Sequence, residues 1–230
     1  MIGHRQTHFE RLYRTDPDPW NYATSPYEQR KYAATLAGLQ SPRYASAIEV
    51  GCSIGVLSAR LRHRCDRYLG LDLSPTALAL AKRRLAHYHN VALRQVEVPR
   101  HWPRRRADLI VLSEILYYLC PAELSVLARH IDRSLVSGGE VVIVAWRSDT
   151  ATALSGPTAT RLFTRALHGL RPFRRLIHAS SDSYLHHSLI CQPDPQRRTI
   201  PPSAVKLSGC AQGYVMSSNA MRPSSFQRAT

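Results

Sequence analysis

Residues 47–58 read Ala-Ile-Glu-Val-Gly-Cys-Ser-Ile-Gly-Val-Leu-Ser. Apolar Ala47, Ile48 and Val50 surround one acid, Glu49, and Gly51 and Gly55 bracket the short segment after Val50. The pattern predicts a buried strand, a tight turn and the start of a helix. A strand that empties into a helix N-terminus makes a polar pocket at the carboxyl edge of a parallel sheet. The next strand candidate, Tyr68-Leu-Gly-Leu-Asp-Leu73, ends in Asp72. That acid lies about 20 residues past Gly51, where a second-strand carboxylate accepts the hydroxyls of a ribose. The local reading is a nucleoside site.

Glycine spacing narrows the nucleoside. A dinucleotide fingerprint needs glycine at its first, third and sixth positions, so that the backbone can approach a pyrophosphate. Here those positions hold Gly51, Ser53 and Val56, which disfavours NAD and FAD. The pattern present, acid-x-Gly-x-x-x-Gly, resembles motif I of the class I S-adenosylmethionine (SAM)-dependent methyltransferases, usually E/D-x-G-x-G-x-G. Ser53 replaces the middle glycine. SAM carries no phosphate, so fewer glycines are needed for close approach. The resemblance implies a Rossmann-like α/β fold, a mostly parallel seven-stranded sheet with helices on both faces. It also implies SAM as cofactor, S-adenosylhomocysteine (SAH) as product, and cofactor contacts from Glu49, Gly51, Cys52, Ser53, Gly55, Asp72 and Leu73. Two roles suit Glu49: facing the ammonium of SAM, directly or through water, or capping a local turn.

The chain has 230 residues and 44% hydrophobic content, which fits one domain with a sizeable core. Lys and Arg number 31 against 16 acids, a formal charge of +15 that could attract nucleic acid or a membrane surface. The arginines are scattered, however: Arg60, Arg62, Arg64 and Arg67, then Arg83 and Arg84, Arg104 to Arg106, and Arg171, Arg174 and Arg175. Most fall at expected helix ends or in loops, where cations suit the helix dipole. Solvated basic faces are therefore favoured over a nucleic-acid stripe. The cysteines at 52, 65, 120, 191 and 210 make no CxxC pair and no zinc spacing, so no metal is expected. Their odd, scattered set suits a reducing cytosol. No apolar run approaches a membrane span, and the N-terminus lacks the apolar region of a signal peptide, so a cytoplasmic location is expected.

Residues 1–14 predict a short helix with Phe9, Leu12 and Tyr13 on one face. Two X-Pro pairs then force an extended entry. Ser25 reads as an N-cap, Pro26 as the first helical residue and Glu28 as a capping-box acid. Trp20, Tyr22, Tyr27 and Tyr32 concentrate aromatics ahead of the core sheet. Aromatic faces attract a sulfonium, which makes Trp20, Tyr27 and Tyr32 cofactor candidates; packing the helix onto the sheet is their other role.

The strings DPDPWNYATSPYEQRKYAATLAGL, IEVGCSIGVLSARL and DLIVLSEILYYL, with LSGPTATRLF, resemble the nodulation protein S (NodS) family of SAM-dependent methyltransferases over about residues 9 to 190. In the best-known branch of that family the reaction is N-methylation of a deacetylated chitooligosaccharide, on the way to a lipo-chitooligosaccharide signal. The resemblance implies a helical lid over residues 1–43, a SAM-binding core over 44–191 and a small-molecule or oligosaccharide acceptor. The wider class places an acid after the third strand, Val91 to Val98, to hold the adenine amino group. Glu97 or the backbone of Val98 is the candidate here, and Trp102 could cover the adenine or the sheet edge.

Asp108 to Ser113 is nearly all apolar, as a strand buried on both faces must be. Ser113, Glu114 and Tyr117 fall at its carboxyl end, where open α/β sheets bind ligands. Ser113 is a cofactor candidate. Methyl transfer from a sulfonium is an in-line displacement with a neutral leaving group, so alignment and exclusion of water dominate. Glu114 and Tyr117 are the catalytic candidates. Glu114 could bind the acceptor amine or take its proton, or else bond the cofactor or lid. Tyr117, Tyr118 and Trp20 suit stacking on sugar faces, and Tyr118 equally suits plain core.

Further elements are a helix from Pro121 to about Leu135, a turn at Gly138-Gly139, a strand from Glu140 to Trp146, a helix over 156–168, and strands Arg174 to His178 and Tyr184 to Cys191. From Gln192 onward, proline and serine dominate and Asp194 is the sole acid, which predicts disorder. Three other readings compete: the same fold on another small molecule, an RNA methyltransferase or nucleic-acid-binding protein, and a silent SAM-binding domain. Enzymes that methylate base amines usually carry Asn/Asp-Pro-Pro-aromatic after strand four; this chain has SEILY. The oligomeric state is not legible.

Overall fold

A computed structural model describes residues 4–148, 152–180 and 183–192. The expected disordered tail lies outside the described residues, apart from Gln192. The elements are α1 (His4–Thr15), α2 (Pro26–Ala37), β1 (Ala47–Val50), α3 (Val56–Leu61), β2 (Tyr68–Asp72), α4 (Pro75–Arg84), β3 (Val91–Gln95), β4 (Ala107–Ser113), α5 (Pro121–Ser134), β5 (Leu135–Trp146), α6 (Gly156–His168), β6 (Phe173–Ser180) and β7 (Tyr184–Cys191). Short 3₁₀ turns occupy Arg62–Arg64 and Leu116–Tyr118. The seven strands form one sheet in the order β3-β2-β1-β4-β5-β7-β6. β1 pairs β2, β2 pairs β3 and β4 pairs β5 in parallel, while β7 is antiparallel to both β5 and β6. This is the Rossmann-like class I arrangement expected from the sequence. Contacts divide the chain into two compact units, with the boundary after Val98.

In the N-terminal unit, every residue of β1 and β2 is buried, as parallel strands covered on both faces require. Ser25 and Ser74 cap α2 and α4 by accepting from the N–H groups of Glu28 and Ala77, and each helix starts with proline. Glu28, read as a capping acid, instead carries its carboxylate 2.8 Å from Lys31 Nζ, and both side chains are buried. β3 ends at Gln95, short of the expected Val98, so Glu97 and Val98 lie beyond the strand. Val96 N–H still donates to Asp72 O at 2.8 Å.

Some arginines bond to acceptors within the fold. Arg64 donates to the carbonyls of Pro42, Leu36 and Ser41 and so satisfies backbone acceptors in the last turn of α2 and just beyond it. Arg60 donates to the side chain of Gln29. In the C-terminal unit, Arg171 is buried, pairs with Asp132 at 2.9 Å and donates to the carbonyls of Asp132 and Leu135. The reading as a solvated face is corrected for buried Arg171, while half-buried Arg60 and Arg64 serve acceptors of the fold and stay partly in solvent.

β4 and β5 carry the apolar centre of the C-terminal unit, with Leu109 to Leu112 and Val141 to Trp146 buried. Gly138 and Gly139, expected as a turn, form an irregularity inside β5: Leu135 faces Ala107 and Glu140 faces Leu109, with φ +74° at Gly138. α6 opens with Ser155 accepting from Thr158 N–H. Its first residue, Gly156, lies directly on the end of β5, where an added Cβ would fall 1.9 Å from the Trp146 carbonyl oxygen. That close approach explains the glycine of the LSGPTATRLF block. α6 buries Ala159, Phe163 and Leu167. Full burial of a side chain the size of phenylalanine or leucine stabilises by about 1.5–3 kcal/mol.

Gly156→Ala is expected to destabilise by roughly 1–3 kcal/mol through overpacking, lowering the thermal midpoint by several degrees. Gly138→Ala meets no atom within 4 Å and tests backbone strain alone. Thermal denaturation followed by circular dichroism ranks the two.

Candidate functional site

The turn after β1 coils because three of its residues are left-handed: Gly51 at φ +77°, Ser53 at +50° and Gly55 at +79°. Glycine adopts this conformation freely; serine does so at a cost of about 1 kcal/mol. The N–H groups of Gly51 and Cys52 both donate to Leu71 O, at 2.8 and 3.0 Å, which fastens the turn to β2. A Cβ on Gly55 would press Leu85 and Ala81 at 3.1–3.2 Å.

Asp72 ends β2 facing this turn. Its Oδ2 accepts Ser53 N–H at 2.8 Å and its Oδ1 accepts Ser74 N–H at 2.9 Å. Burial raises its carboxyl above the usual range, opposed by the N–H groups of Ser74, Ser53 and Leu73. A carboxylate offers about four lone-pair sites, so one N–H on each oxygen orients it and leaves capacity for a diol. Leu73 comes directly after it in sequence. The Cys52 thiol is buried, and that burial, reinforced by the neighbouring carboxyls of Asp72 and Glu49, pushes it well above the usual thiol range.

Glu49 is 1% exposed. Its Oε2 accepts from Ser58 Oγ of α3 at 2.5 Å and from the hydroxyl of Tyr68 on β2. Burial, opposed by the Ser58 hydroxyl and reinforced by Asp72, pushes it up to about 8. It therefore ties β1 to two neighbouring elements and stays protonated at neutral pH.

Helix α1 is moored to the same region. Tyr13 places its hydroxyl 2.5 Å from Ser53 Oγ. Glu10 accepts from Ser74 Oγ at 2.8 Å, Thr76 Oγ1 at 2.6 Å and Thr76 N–H at 3.2 Å. Burial opposes ionisation of Glu10, but these donors and Arg14 outweigh it and bring the carboxyl to about 2. Arg5 lies 3.7 Å from Glu97, the adenine candidate. Sequence reasoning missed Glu10 and Tyr13; neither belongs to a motif, and Tyr13 read only as part of an apolar face.

The aromatic candidates occupy different settings. Trp20 is buried in a cluster with Tyr13, Tyr22 and Phe9, ring centroids 5.6, 5.5 and 6.2 Å away. Tyr27 lies under the Lys31 ammonium at 5.4 Å, and buried Tyr32 lies under the Arg60 guanidinium at 5.8 Å.

In the C-terminal unit, Ser113 closes β4 and Glu114 comes next at φ +58°. Backbone strain of this kind at a non-glycine residue clusters at functional sites. Glu114 N–H donates to Val144 O at 2.9 Å, while its Oε2 accepts the Tyr117 hydroxyl at 2.8 Å and Trp146 N–H at 2.9 Å. The Tyr117 and Tyr118 rings are 4.7 Å apart. Burial, reinforced by the Glu114 charge, pushes the Tyr118 hydroxyl far up. Trp102 donates to Ser134 Oγ at 2.7 Å and stacks on His130, which fixes it on α5. Among the described residues no group of three His, Cys, Asp or Glu side chains could hold a metal ion, and no helix is long and apolar enough to cross a membrane.

A family profile for nodulation protein S (NodS) matches residues 6–153. A nodulation protein S from Rhizobium tropici is 32% identical over 127 residues, covering 54% of this chain and 53% of that protein, so the chain spans about half the length of that relative. Among solved structures, a candidate methyltransferase from Pseudomonas syringae is 33% identical, with TM-score 0.62, over 71% of this chain and 98% of its own. The N-methyltransferase NodS from Bradyrhizobium japonicum, solved with SAH, has TM-score 0.71 and 21% identity over 84% of this chain and all of its own.

Glu49 sets a pH dependence. Between its ordinary value near 4.5 and about 8, the folded chain keeps the Glu49 proton while the unfolded chain loses it. Its contribution to stability therefore falls as pH rises through that window. Glu49→Gln should flatten this slope, most visibly as a gain in urea midpoint at pH 8 relative to pH 5; an unchanged slope assigns the dependence elsewhere.

Proposed function

The chain belongs to the nodulation protein S family, and on that premise we propose that it is a SAM-dependent N-methyltransferase whose acceptor is the free amine of a deacetylated chitooligosaccharide. The observation that carries the reading is Asp72, buried at the end of β2 and held by one N–H on each oxygen beside the left-handed turn of residues 51–55. The donor set fits SAM. Asp72 would take the ribose hydroxyls. The turn from Gly51 through Cys52 and Ser53 to Gly55 would border the amino-acid end, with Glu49 behind it and Leu73, Glu97 and Val98 toward the base. The SAH held by the Bradyrhizobium japonicum enzyme supports this choice of methyl donor.

When bound, SAM supplies an electrophilic methyl on a sulfonium. The chain's own task is to hold the amine, strip its water and keep it unprotonated. A sugar amine titrates near neutrality, so no strong base is required. Glu114, fixed by Tyr117 and Trp146 N–H, would accept a hydrogen bond from the amine and receive its proton. Tyr117 would act by holding that carboxylate. Arg64 and Arg171 are committed to contacts within the fold, so they are not available to contact a nucleic acid, while the net charge of +15 is unchanged. Cys52, Cys65, Cys120 and Cys191 are free thiols, which suits a reducing compartment, and we place the enzyme in the cytoplasm.

Labelled SAM, offered with deacetylated chitotetraose in one arm and RNA in another, should transfer label to the oligosaccharide amine alone. Asp72→Ala should weaken SAM binding by at least about 100-fold in calorimetry, since it removes a charge-assisted pair of acceptors. Glu114→Gln should leave that binding intact and cut turnover by roughly tenfold or more. Label on RNA, or unchanged turnover in Glu114→Gln, contradicts the respective assignment.

A further inference from the structure

Ser53 occupies the position where the motif usually has glycine, yet its backbone keeps the left-handed conformation, φ +50°. A serine holds such a turn only if its surroundings over-determine it. Two contacts do so: the Ser53 N–H donates to Asp72 Oδ2 at 2.8 Å, and Ser53 Oγ lies 2.5 Å from the Tyr13 hydroxyl. Tyr13 is 5% exposed and its ring packs 5.6 Å from Trp20, so the hydroxyl comes from a fixed ring. The helix that carries Tyr13 has two more moorings, Glu10 on Ser74 and Thr76, and Arg5 on Glu97. These three points come after β1, β2 and β3 in the chain, at the carboxyl edge that open α/β sheets use for ligands.

We propose that Tyr13 is a positioning residue of the nucleoside site, acting through Ser53 to hold the N–H that orients Asp72, so that donor binding and docking of α1 are coupled. The proposal rests on the SAM reading of that site. Its physical basis is the missing glycine. With glycine at 53 the left-handed turn needs no partner. With serine, loss of the Tyr13 hydroxyl leaves Ser53 Oγ without its inward contact and frees the turn to relax, which swings the N–H away from Asp72. Coupling of this kind is reciprocal, so a bound nucleoside should hold α1 as firmly as α1 holds the turn.

The test is a double-mutant cycle on SAH affinity, using wild type, Tyr13→Phe, Ser53→Gly and the double variant, with thermal midpoints to confirm folding. Tyr13→Phe should weaken SAH binding about 5- to 10-fold in the wild-type background, the size of one hydrogen bond. In the S53G background the same substitution should have no effect. Hydrogen exchange gives a second readout: SAH should slow the α1 amides in wild type and slow them less in Tyr13→Phe. Equal weakening by Tyr13→Phe in both backgrounds assigns Tyr13 to packing and overturns the proposal, as does unchanged affinity in the wild-type background. If wild type binds no SAH, the SAM reading itself falls, a result distinct from either of those.

Discussion

A single carboxylate organises the N-terminal unit. Asp72 receives one N–H from the turn after β1 and one from the cap of α4, and so fixes two loops to the end of β2 at once. Burial makes its negative charge costly, and those donors, with Leu73 N–H, offset part of that cost. Ser53, which supplies one donor, is itself held by Tyr13, and Ser74 donates its hydroxyl to Glu10. A polar network thus runs from α1 to the strand ends, and each member satisfies the next.

Polar groups inside this chain are numerous and mostly paired. Glu49 sits on two hydroxyls, Glu28 on Lys31, and Arg171 on Asp132. Buried pairs of this sort add little net stability, but removing one partner strands the other. Part of the basic composition serves the fold: the guanidinium groups of half-buried Arg64 and buried Arg171 close backbone carbonyls at the ends of α2 and α5.

The C-terminal unit repeats the logic with strain added. Glu114 adopts a left-handed backbone directly after β4, and its Oε2 is shared by Tyr117 and Trp146 N–H. The same Trp146 presents its carbonyl to Gly156, so the end of β5 fixes both a carboxylate and the start of α6. Strain at Glu114 persists because these contacts leave it no alternative.

Periodicity, glycine spacing and the Ser-Pro caps were enough to read the order of strands and helices and Asp72 as the acid that ends β2, and the family resemblance supplied the mostly parallel seven-stranded sheet. Those features are local: buried parallel strands must be apolar throughout, and a cap needs one hydroxyl in one place. Other features depended on residues distant in sequence. Glu10 and Tyr13 carry no motif. Their roles exist because α1 packs where Ser53 lies, 40 positions from Tyr13, and where Ser74 lies, 64 positions from Glu10. Whether an arginine faces water or a carbonyl, and whether Glu28 caps a helix or meets Lys31, is likewise a matter of three-dimensional neighbours. Hydrogen bonds between residues distant in sequence form only once the chain folds in space, and no local pattern marks them.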